Sequence, residues 1–379
     1  MPYIHEQPAW PDLTWDVSVL AAGLAAVRHR QGRLLGRMES LGFDLRTQAG
    51  LSTLTADVVK SSAIEGEQLD TNQVRSSIAS RLGLGAAGLP TPARHIEGVV
   101  EMMLDAVRRA EDPLSHERLC AWQSALFPSG LSHLRRITVG AYRPATAGPM
   151  RVVSGPIGRE RIHFEAPHAD RLGTEMDAFL AWFNAPPAID PVLKAGLAHF
   201  WFVTIHPFED GNGRIARAIA DMALTRADAT DQRYYSMSSQ IETERREYYL
   251  QLERAQRGTT DITPWMSWFL ACLGRAVDRA DEAQSGVLHK AEIWKRLADR
   301  PVNLRQRTVL NRMTDAFEGH LNTSKYAKLA KCSTDTALRD IRELLAWGVL
   351  AQNPAGGRST SYRLATPGDL TTAEYSASP

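Results

Sequence analysis

The sequence predicts a mainly α-helical protein built from more than one domain. The chain has 379 residues, which is longer than one ordinary domain, so two or three domains are expected. Apolar residues recur at helical spacing through most of it, as they do from Val192 to Thr204. Glycine-rich, strand-like patterns concentrate between residues 127 and 170. We therefore expect an N-terminal helical domain (1–85), a helical core (86–275), connecting helices (276–320), a small C-terminal domain (321–366) and a disordered tail (367–379).

The composition is that of an ordinary soluble protein. The chain is 44% hydrophobic and 23% charged, and its net charge of +1 gives no global attraction to nucleic acid or to an anionic membrane. Residues 1–10 lack the basic start and apolar core of a signal peptide, and no apolar run reaches the length of a membrane span. The three cysteines show no metal or disulfide spacing, so reduced thiols are expected. These features predict a cytoplasmic location.

Two helices are predicted in the N-terminal domain, from Val17 to Met38 and from Ala49 to Ile64. The second helix ends unusually, with Glu65 in its last turn before Gly66, which is typical of a C-cap. A carboxylate at that end opposes the helix dipole by about 0.3–1 kcal/mol. We therefore expect a cationic group elsewhere in the chain to compensate Glu65.

The core begins with two amphipathic helices, Thr91 to Glu111 and Ser115 to Leu126, the second with Ser115 as N-cap. Two short apolar runs then flank a Gly-Pro-Ile-Gly segment, which indicates a β-hairpin over about Met150 to Phe164. A hairpin in a helical domain calls for a functional explanation.

Most of the chemistry lies between His206 and Arg217, where the sequence reads HPFEDGNGRIAR. Apolar helical patterns precede and follow this stretch, so it forms a short loop between two helices. Pro207 ends the first helix, because proline cannot continue the helical hydrogen bonds. Gly211 and Gly213 permit positive φ and a close approach of the backbone to a ligand, and their N–H groups with the next helix N-terminus would form an anion-binding nest.

The residue types in this loop favour phosphate chemistry. His206 has an ordinary pKa near neutrality and can accept a proton from a hydroxyl group. Asp210 is a hard oxygen ligand suited to Mg²⁺, and Asn212 together with the glycine amides can hold phosphate oxygens. Arg214 and Arg217 project from the same helix face as two permanent positive charges. This set can position and stabilise a transferring nucleotidyl or phosphoryl group.

At these residues the chain resembles the Fic family, whose motif H-x-F-x-(D/E)-G-N-G-R-x-x-R is matched at every fixed position. The resemblance implies an all-α core and the transfer of AMP from ATP to a hydroxyl side chain of a protein. It also implies that His206 is the general base and that Asp210 holds Mg²⁺.

The same resemblance assigns the nucleotide phosphates. Asn212 with Gly211 and Gly213 would hold the α-phosphate region, and Arg214 and Arg217 would hold the outer phosphates. The related Doc proteins, which phosphorylate, carry Lys where this chain has Gly213. The glycine therefore favours AMP transfer over phosphoryl transfer.

Two further segments gain a role from the resemblance. Ser61 to Gly66 fits the family pattern S/T-x-x-x-E-(G/N) of an inhibitory helix, which implies that Glu65 pairs with Arg217 and keeps it from the γ-phosphate. The hairpin at Met150 to Phe164 would be the family's flap, which pairs its edge with an extended segment of the target protein.

Two tyrosines and two further histidines are also candidates for the site. Tyr248 and Tyr249 lie in a predicted helix from Glu242 to Gln256, which by resemblance forms the adenine side of the site; the alternative is that they are core aromatics. His163 is interpreted as a flap or packing residue and His199 as a packing residue.

The C-terminal domain has the element pattern of a winged helix. Ser333 is the expected N-cap of a recognition-type helix over Thr336 to Leu345, and a turn at 356–358 is expected within the wing hairpin. Residues 325–363 contain seven Lys and Arg against three Asp and Glu, so contact with DNA and contact with protein both remain open.

The leading hypothesis is a self-inhibited protein adenylyltransferase that uses ATP and Mg²⁺. One alternative is a DNA-binding transcriptional regulator with a Fic core. Another is an enzyme that removes AMP from a modified target by using Glu65. Self-modification and homodimer formation also remain open.

Overall fold

The computed structural model of the protein describes residues 2–39, 41–84, 90–132, 134–155, 158–230, 232–314, 320–353, 360–365 and 369. The chain divides into two compact units, Met1–Asp281 and Glu282–Pro379. Helices dominate both, which confirms the mainly α prediction. The predicted wing turn at 356–358 and most of the tail at 367–379 lie outside the described residues. No helix among the described residues has both the length and the apolar character needed to span a bilayer.

The N-terminal part of the first unit has three helices, α1 (Val17–Glu39), α2 (Phe43–Ile64) and α3 (Thr71–Arg81). Helix α2 starts six residues before the predicted Ala49, directly after Gly42 in extended conformation. Asp70 caps α3 by accepting a 2.8 Å hydrogen bond from the backbone N–H of Gln73.

The rest of the first unit is a helical bundle around two central helices. Helix α7 is buried at every position from Val192 to Ile205, as expected for a helix surrounded by protein on all sides. Its partner α8 follows it directly after the charged loop and is also largely buried. The bundle consists of α4 (Arg94–Arg108), α5 (His116–Leu126), α6 (Leu172–Asn184), α7 (Pro191–Ile205), α8 (Asn212–Asp228), α9 (Met237–Thr243), α10 (Arg245–Gln256) and the part of α11 (Thr263–Arg296) that ends at Asp281.

Two antiparallel hairpins lie beside the bundle. The first is β1 (Leu131–Ser132) with β2 (Arg135–Arg136). The second, β3 (Arg151–Ser154) with β4 (Arg161–Glu165), is the predicted flap hairpin, with a bulge between Val152 and Val153. Glu253 of α10 anchors β4 by ion pairs with Arg161 (2.8 Å) and His163 (2.7 Å).

In the second unit, α12 (Leu304–Thr314), α13 (Thr323–Ala330) and α14 (Thr334–Ala346) precede a hairpin of β5 (Leu350–Gln352) and β6 (Tyr362–Leu364). The winged-helix assignment of this unit stays a prediction. Ser333 caps α14 by accepting a 3.2 Å bond from the N–H of Thr336, as predicted. Part of the predicted connecting segment belongs to this unit's apolar core, including Ile293, Leu297, Val309 and Leu310.

Candidate active site

His206 begins the charged loop in a left-handed conformation, with φ 52° and ψ 58°. A residue with a Cβ rarely adopts this conformation, so the surrounding structure must hold it. Arg143 does so: its Nε donates to the carbonyl of His206 at 2.9 Å, and its backbone N–H donates to that of Pro207 at 2.9 Å. Arg143 lies more than 60 residues earlier and is 3% exposed. No local motif marks it, which is why sequence reasoning missed it.

The hydrogen bond of the His206 ring defines its reactive nitrogen. Nδ1 lies 3.2 Å from the carbonyl oxygen of Val203. Because a carbonyl can only accept, Nδ1 carries the proton and Nε2 keeps its lone pair. Burial lowers the pKa of His206 to about 4, so the imidazole is neutral at physiological pH. The ring therefore has the protonation state that a general base requires.

The side chain of Asn212 closes the loop on itself. Its Oδ1 accepts from the N–H of Phe208 at 3.0 Å, and its Nδ2 donates to the carbonyl of Phe208 at 2.8 Å. Asn212 is 2% exposed, and Phe208 is fully buried. Oδ1 and one N–H of Nδ2 are thus engaged inside the loop, and these bonds do not use the second N–H of Nδ2, so the role of Asn212 in holding a phosphate stays a prediction. The remaining anion-binding donors are backbone N–H groups at the start of α8.

A side chain is disfavoured at Gly211 and at Gly213 for different structural reasons. Gly211 has φ 89°, and a Cβ on it would lie 3.0 Å from the ring of Phe127. Gly213 is helical, but a Cβ on it would lie 2.2 Å from Oε1 of Glu65. The space over the N-terminus of α8 is therefore occupied by the Glu65 carboxylate.

Asp210 is the residue predicted to hold magnesium. Its Oδ1 accepts from the N–H of Gly211 at 2.6 Å and its Oδ2 accepts from the Ser132 hydroxyl. Asp210 is half-buried and lines a cavity of about 400 Å³. Among the described residues there is no group of three or more His, Cys, Asp or Glu arranged to hold a metal. One carboxylate beside an open cavity suits Mg²⁺, which keeps several waters and binds substrate phosphates.

Each of the two loop arginines is paired with a glutamate from the end of α2. Arg217 donates to Glu65 Oε1 at 2.8 Å, and also to the hydroxyl and the carbonyl of Ser61, each at 2.9 Å. Arg214 donates to Glu67 Oε2 at 2.8 Å. The pair of Glu65 with Arg217 is the one that the resemblance implied. Glu67 was not predicted; the only local signal was its place two residues after Glu65.

The two tyrosines of α10 differ in their environment. Tyr248 is 1% exposed, its hydroxyl lies 2.9 Å from Nε2 of His199, and its ring packs against Trp265. It is therefore a buried aromatic with His199 as its packing partner, and its expected place beside adenine stays a prediction. Tyr249 is 38% exposed, and its hydroxyl donates to the carbonyl of Ile64 at 3.3 Å and to Glu65 at 3.4 Å. Both hydroxyls therefore interact with residues of the site, that of Tyr248 with Arg217 and that of Tyr249 with Glu65.

His163 has no part in this cluster. Its Nδ1 contacts Glu253 at 2.7 Å and its Nε2 contacts the hydroxyl of Ser154 at 2.6 Å. Both contacts tie the flap hairpin together and hold it against α10.

Comparison with known proteins agrees with this geometry. The profile of the Fic/DOC family matches residues 113–224, and a domain of unknown function (DUF4172) matches residues 3–84. Protein adenylyltransferase fic-1 of Caenorhabditis elegans is 27% identical over 209 residues, which are 54% of this chain and 37% of that protein. Protein adenylyltransferase Fic of Nematostella vectensis is 33% identical over 114 residues, 30% of this chain and 25% of that protein. The matches thus span well under half of these relatives.

Two solved structures share the fold. A Fic family protein from Desulfovibrio desulfuricans G20 aligns over 95% of this chain and 98% of its own, with a TM-score of 0.52 and 22% identity. A Fic domain containing signaling protein from Bacteroides thetaiotaomicron VPI-5482 aligns over 69% of this chain and 97% of its own, with a TM-score of 0.51 and 20% identity. From the matched profile and the loop geometry, residues 113–224 of this chain form a domain of the Fic/DOC family.

Proposed function

We propose that this protein transfers AMP from ATP to a hydroxyl side chain of a protein. The observation that carries the proposal is the neutral imidazole of His206, whose Nε2 is free to accept a proton, at the start of a glycine-containing loop that leads into the N-terminus of α8. The names of the relatives, which are protein adenylyltransferases, support the same reaction.

In the proposed reaction, Nε2 of His206 takes the proton of the target hydroxyl. The hydroxyl oxygen then forms a bond to the α-phosphorus of ATP, the bond to the bridging oxygen breaks, and pyrophosphate leaves. Arg214, Arg217 and the N–H groups at the start of α8 stabilise the phosphate charge. A Mg²⁺ ion held by Asp210 would neutralise part of that charge.

The target segment is proposed to lie along β3 of the flap (Met150 to Phe164). On β4, Arg257 occupies the carbonyls of Ile162 (2.7 Å) and His163 (3.0 Å). On β3, by contrast, Arg151 and Val153 line the cavity that Asp210 also lines. An extended segment that adds to β3 would therefore enter beside the catalytic loop, held by main-chain hydrogen bonds.

Glu65 is proposed to keep this enzyme inactive. Its carboxylate occupies Arg217 and covers Gly213, so it takes both a cation and the space that phosphates need. Displacing Glu65 would free the N–H groups of Arg217 that now bind its carboxylate, so that they could bind a phosphate.

The test is transfer of label from α-labelled ATP in the presence of Mg²⁺ and cell lysate. We expect weak labelling by the natural protein, strong labelling of a target or of the protein itself by Glu65→Gly, and none by Glu65→Gly combined with His206→Ala. Labelling that survives His206→Ala in a folded protein would refute the base assignment. Label from γ-labelled ATP in place of α-labelled ATP would indicate phosphoryl transfer.

The reverse reaction is distinguished with the labelled target as substrate. If Glu65 serves to remove AMP, the natural protein will release label from the target and Glu65→Gly will not. Release that is equal in both proteins, or absent from both, would leave Glu65 with the inhibitory role only.

A second candidate function concerns the second unit, whose α14 has two exposed arginines, Arg339 and Arg342. Asp340, which the sequence places between them, is 3% exposed and bonded to Arg305 (2.9 Å) and Tyr326 (3.2 Å). Because Asp340 is internal, its charge does not offset Arg339 and Arg342. Exposed Asp335, one turn before Arg339, offsets part of their charge, and the positive charge that is left favours contact with DNA phosphates. A gel shift with genomic fragments, titrated with salt, tests this; binding that is absent, or unchanged in Arg339→Ala/Arg342→Ala, would exclude it.

A further inference from the structure

A second glutamate, Glu67, binds Arg214, the first of the two motif arginines in α8. Glu67 Oε2 lies 2.8 Å from Nη1 of Arg214, and the two residues are 147 positions apart in the chain. The guanidinium of Arg214 stacks over the ring of Phe127 at 5.0 Å, and the residue is only 6% exposed. A cation in this position, over an aromatic ring and largely shielded from water, is suited to pair with an anion.

The end of α2 explains how two carboxylates so close in sequence reach one surface. Within a helix, residues two apart point to different sides. Gly66 instead takes φ 88°, its N–H donates to the carbonyl of Ala63 at 3.0 Å, and the N–H of Glu67 donates to that of Ser62 at 3.0 Å. These two bonds define a Schellman motif, which ends the helix and reverses the chain direction. The reversal turns Glu67 back towards α8 beside Glu65.

The two glutamates also match the spacing of the two arginines. Arg214 and Arg217 are three residues apart in α8, and therefore lie on one helix face about one turn apart. Glu65 contacts the later arginine and Glu67 the earlier one, each at 2.8 Å. The end of α2 thus presents one carboxylate to each cation of the proposed phosphate site.

We propose that Glu67 is a second inhibitory residue, which blocks Arg214 as Glu65 blocks Arg217, so that ATP must displace two carboxylates to bind. This inference rests on the proposed function of the loop as a nucleotide site. The physical basis is competition, since a guanidinium already bonded to a carboxylate must give up that bond before it can pair with a phosphate. Glu67 is 36% exposed at its side chain, so water reaches it and the expected effect is moderate.

The experiment measures the affinity for Mg²⁺–ATP by calorimetry in the His206→Ala background, which prevents turnover. The variants are Glu65→Gln, Glu67→Gln, both together, and Glu101→Gln as a matched control. Glu101 of α4 also makes an ion pair with an arginine, Arg81 at 3.5 Å, but on a more exposed part of the surface. Glu67→Asp adds a variant that keeps the charge but shortens the side chain by one methylene.

We expect Glu67→Gln to lower the Kd for ATP by roughly 3- to 10-fold, and the double variant to bind more tightly than Glu65→Gln alone. Glu67→Asp should show part of this gain, and Glu101→Gln none. All variants should retain the parent circular dichroism spectrum.

Two results would overturn the proposal. If Glu65→Gln tightens binding while Glu67→Gln leaves it unchanged or weakens it, Glu67 has no inhibitory role and the proposed function stands. If neither the parent nor any variant binds ATP, the loop is not a nucleotide site, and the proposed function fails together with this inference.

Discussion

The carboxylate of Glu65 lies directly over Gly213, so that a Cβ at this glycine would stand 2.2 Å from Oε1. Real Cβ atoms do not approach an oxygen so closely, and Glu65 is held in place by its bond to Arg217. A side chain at position 213 would therefore push the Glu65 carboxylate away from its present position. Gly213 is therefore the position at which the proposed phosphate site, at the N-terminus of α8, meets the carboxylate that covers it.

The effect of Gly213→Ala should depend on Glu65. In the natural protein we expect the added methyl group to reduce the free energy of unfolding by about 1–2 kcal/mol, because it overpacks the contact. In the Glu65→Gly background the same change should be neutral or stabilising by up to about 1 kcal/mol, because alanine favours a helix over glycine. Denaturant unfolding of the four proteins checks this, and equal effects in both backgrounds would contradict it.

His206 should remain uncharged well below neutral pH. Burial lowers its pKa to about 4, whereas an unperturbed histidine titrates near 6.5. In the nucleotide-free protein we expect the Cε1 resonance of His206 to keep its neutral position down to about pH 5. NMR titration with His206→Ala for assignment measures this; a midpoint near 6.5 would mean that the ring is solvated and that Nε2 is not protected as a base.

Asp57 should make the fold less stable as the pH rises. Burial and then the nearby Asp221 raise its pKa to about 8, against the opposing charge of Arg233 and a 2.5 Å bond from the hydroxyl of Ser236. The folded state therefore keeps a proton that the unfolded chain releases above about pH 4. This contribution to stability is complete below that pH and is lost progressively as the pH rises to about 8.

The test is the melting temperature between pH 6.5 and 8.5, a window in which His206 does not titrate. We expect a fall in the natural protein and a flatter profile in Asp57→Asn, whose amide stays neutral. The contribution assigned to Asp57 would be excluded if both proteins lost the same number of degrees.

Substitution of Tyr249 should mainly change ATP affinity, whereas substitution of Tyr248 should mainly change stability. Removing the hydroxyl of Tyr249 deprives Glu65 of a long 3.4 Å bond, so Tyr249→Phe should tighten ATP binding by roughly 2-fold with little change in stability. Tyr248→Phe should instead leave a buried His199 nitrogen without its partner, and its main effect should be a loss of about 1–3 kcal/mol of stability. Calorimetry and thermal melts on both variants check the pair, and a reversed pattern would place Tyr248 at the nucleotide.

Local sequence was sufficient for the parts of the site that lie close together in the chain. The helix before the loop, the break at Pro207 and the common face of Arg214 and Arg217 follow from helical spacing and proline geometry, and all are present. The flap hairpin was found in the same way, since its two strands and turn occupy one short segment.

Other features needed the folded chain, because they depend on which side chains are buried. Asn212 carries an amide suited to phosphate, yet it is bonded inside the loop to Phe208. Neighbours Tyr248 and Tyr249 are equivalent by pattern, but rotation by about 100° along the helix buries one and leaves the other partly exposed.

By itself, then, the sequence determined the helical class, the family motif and the chemistry available between His206 and Arg217, since these depend on residue types at fixed short spacings. The tertiary structure decided how that chemistry is supported and covered. Arg143 holds the backbone at His206, and Glu67 holds Arg214, from 63 and 147 residues away. Such contacts come from the packing of distant helices, and the spacing of residues within one segment has no information about them.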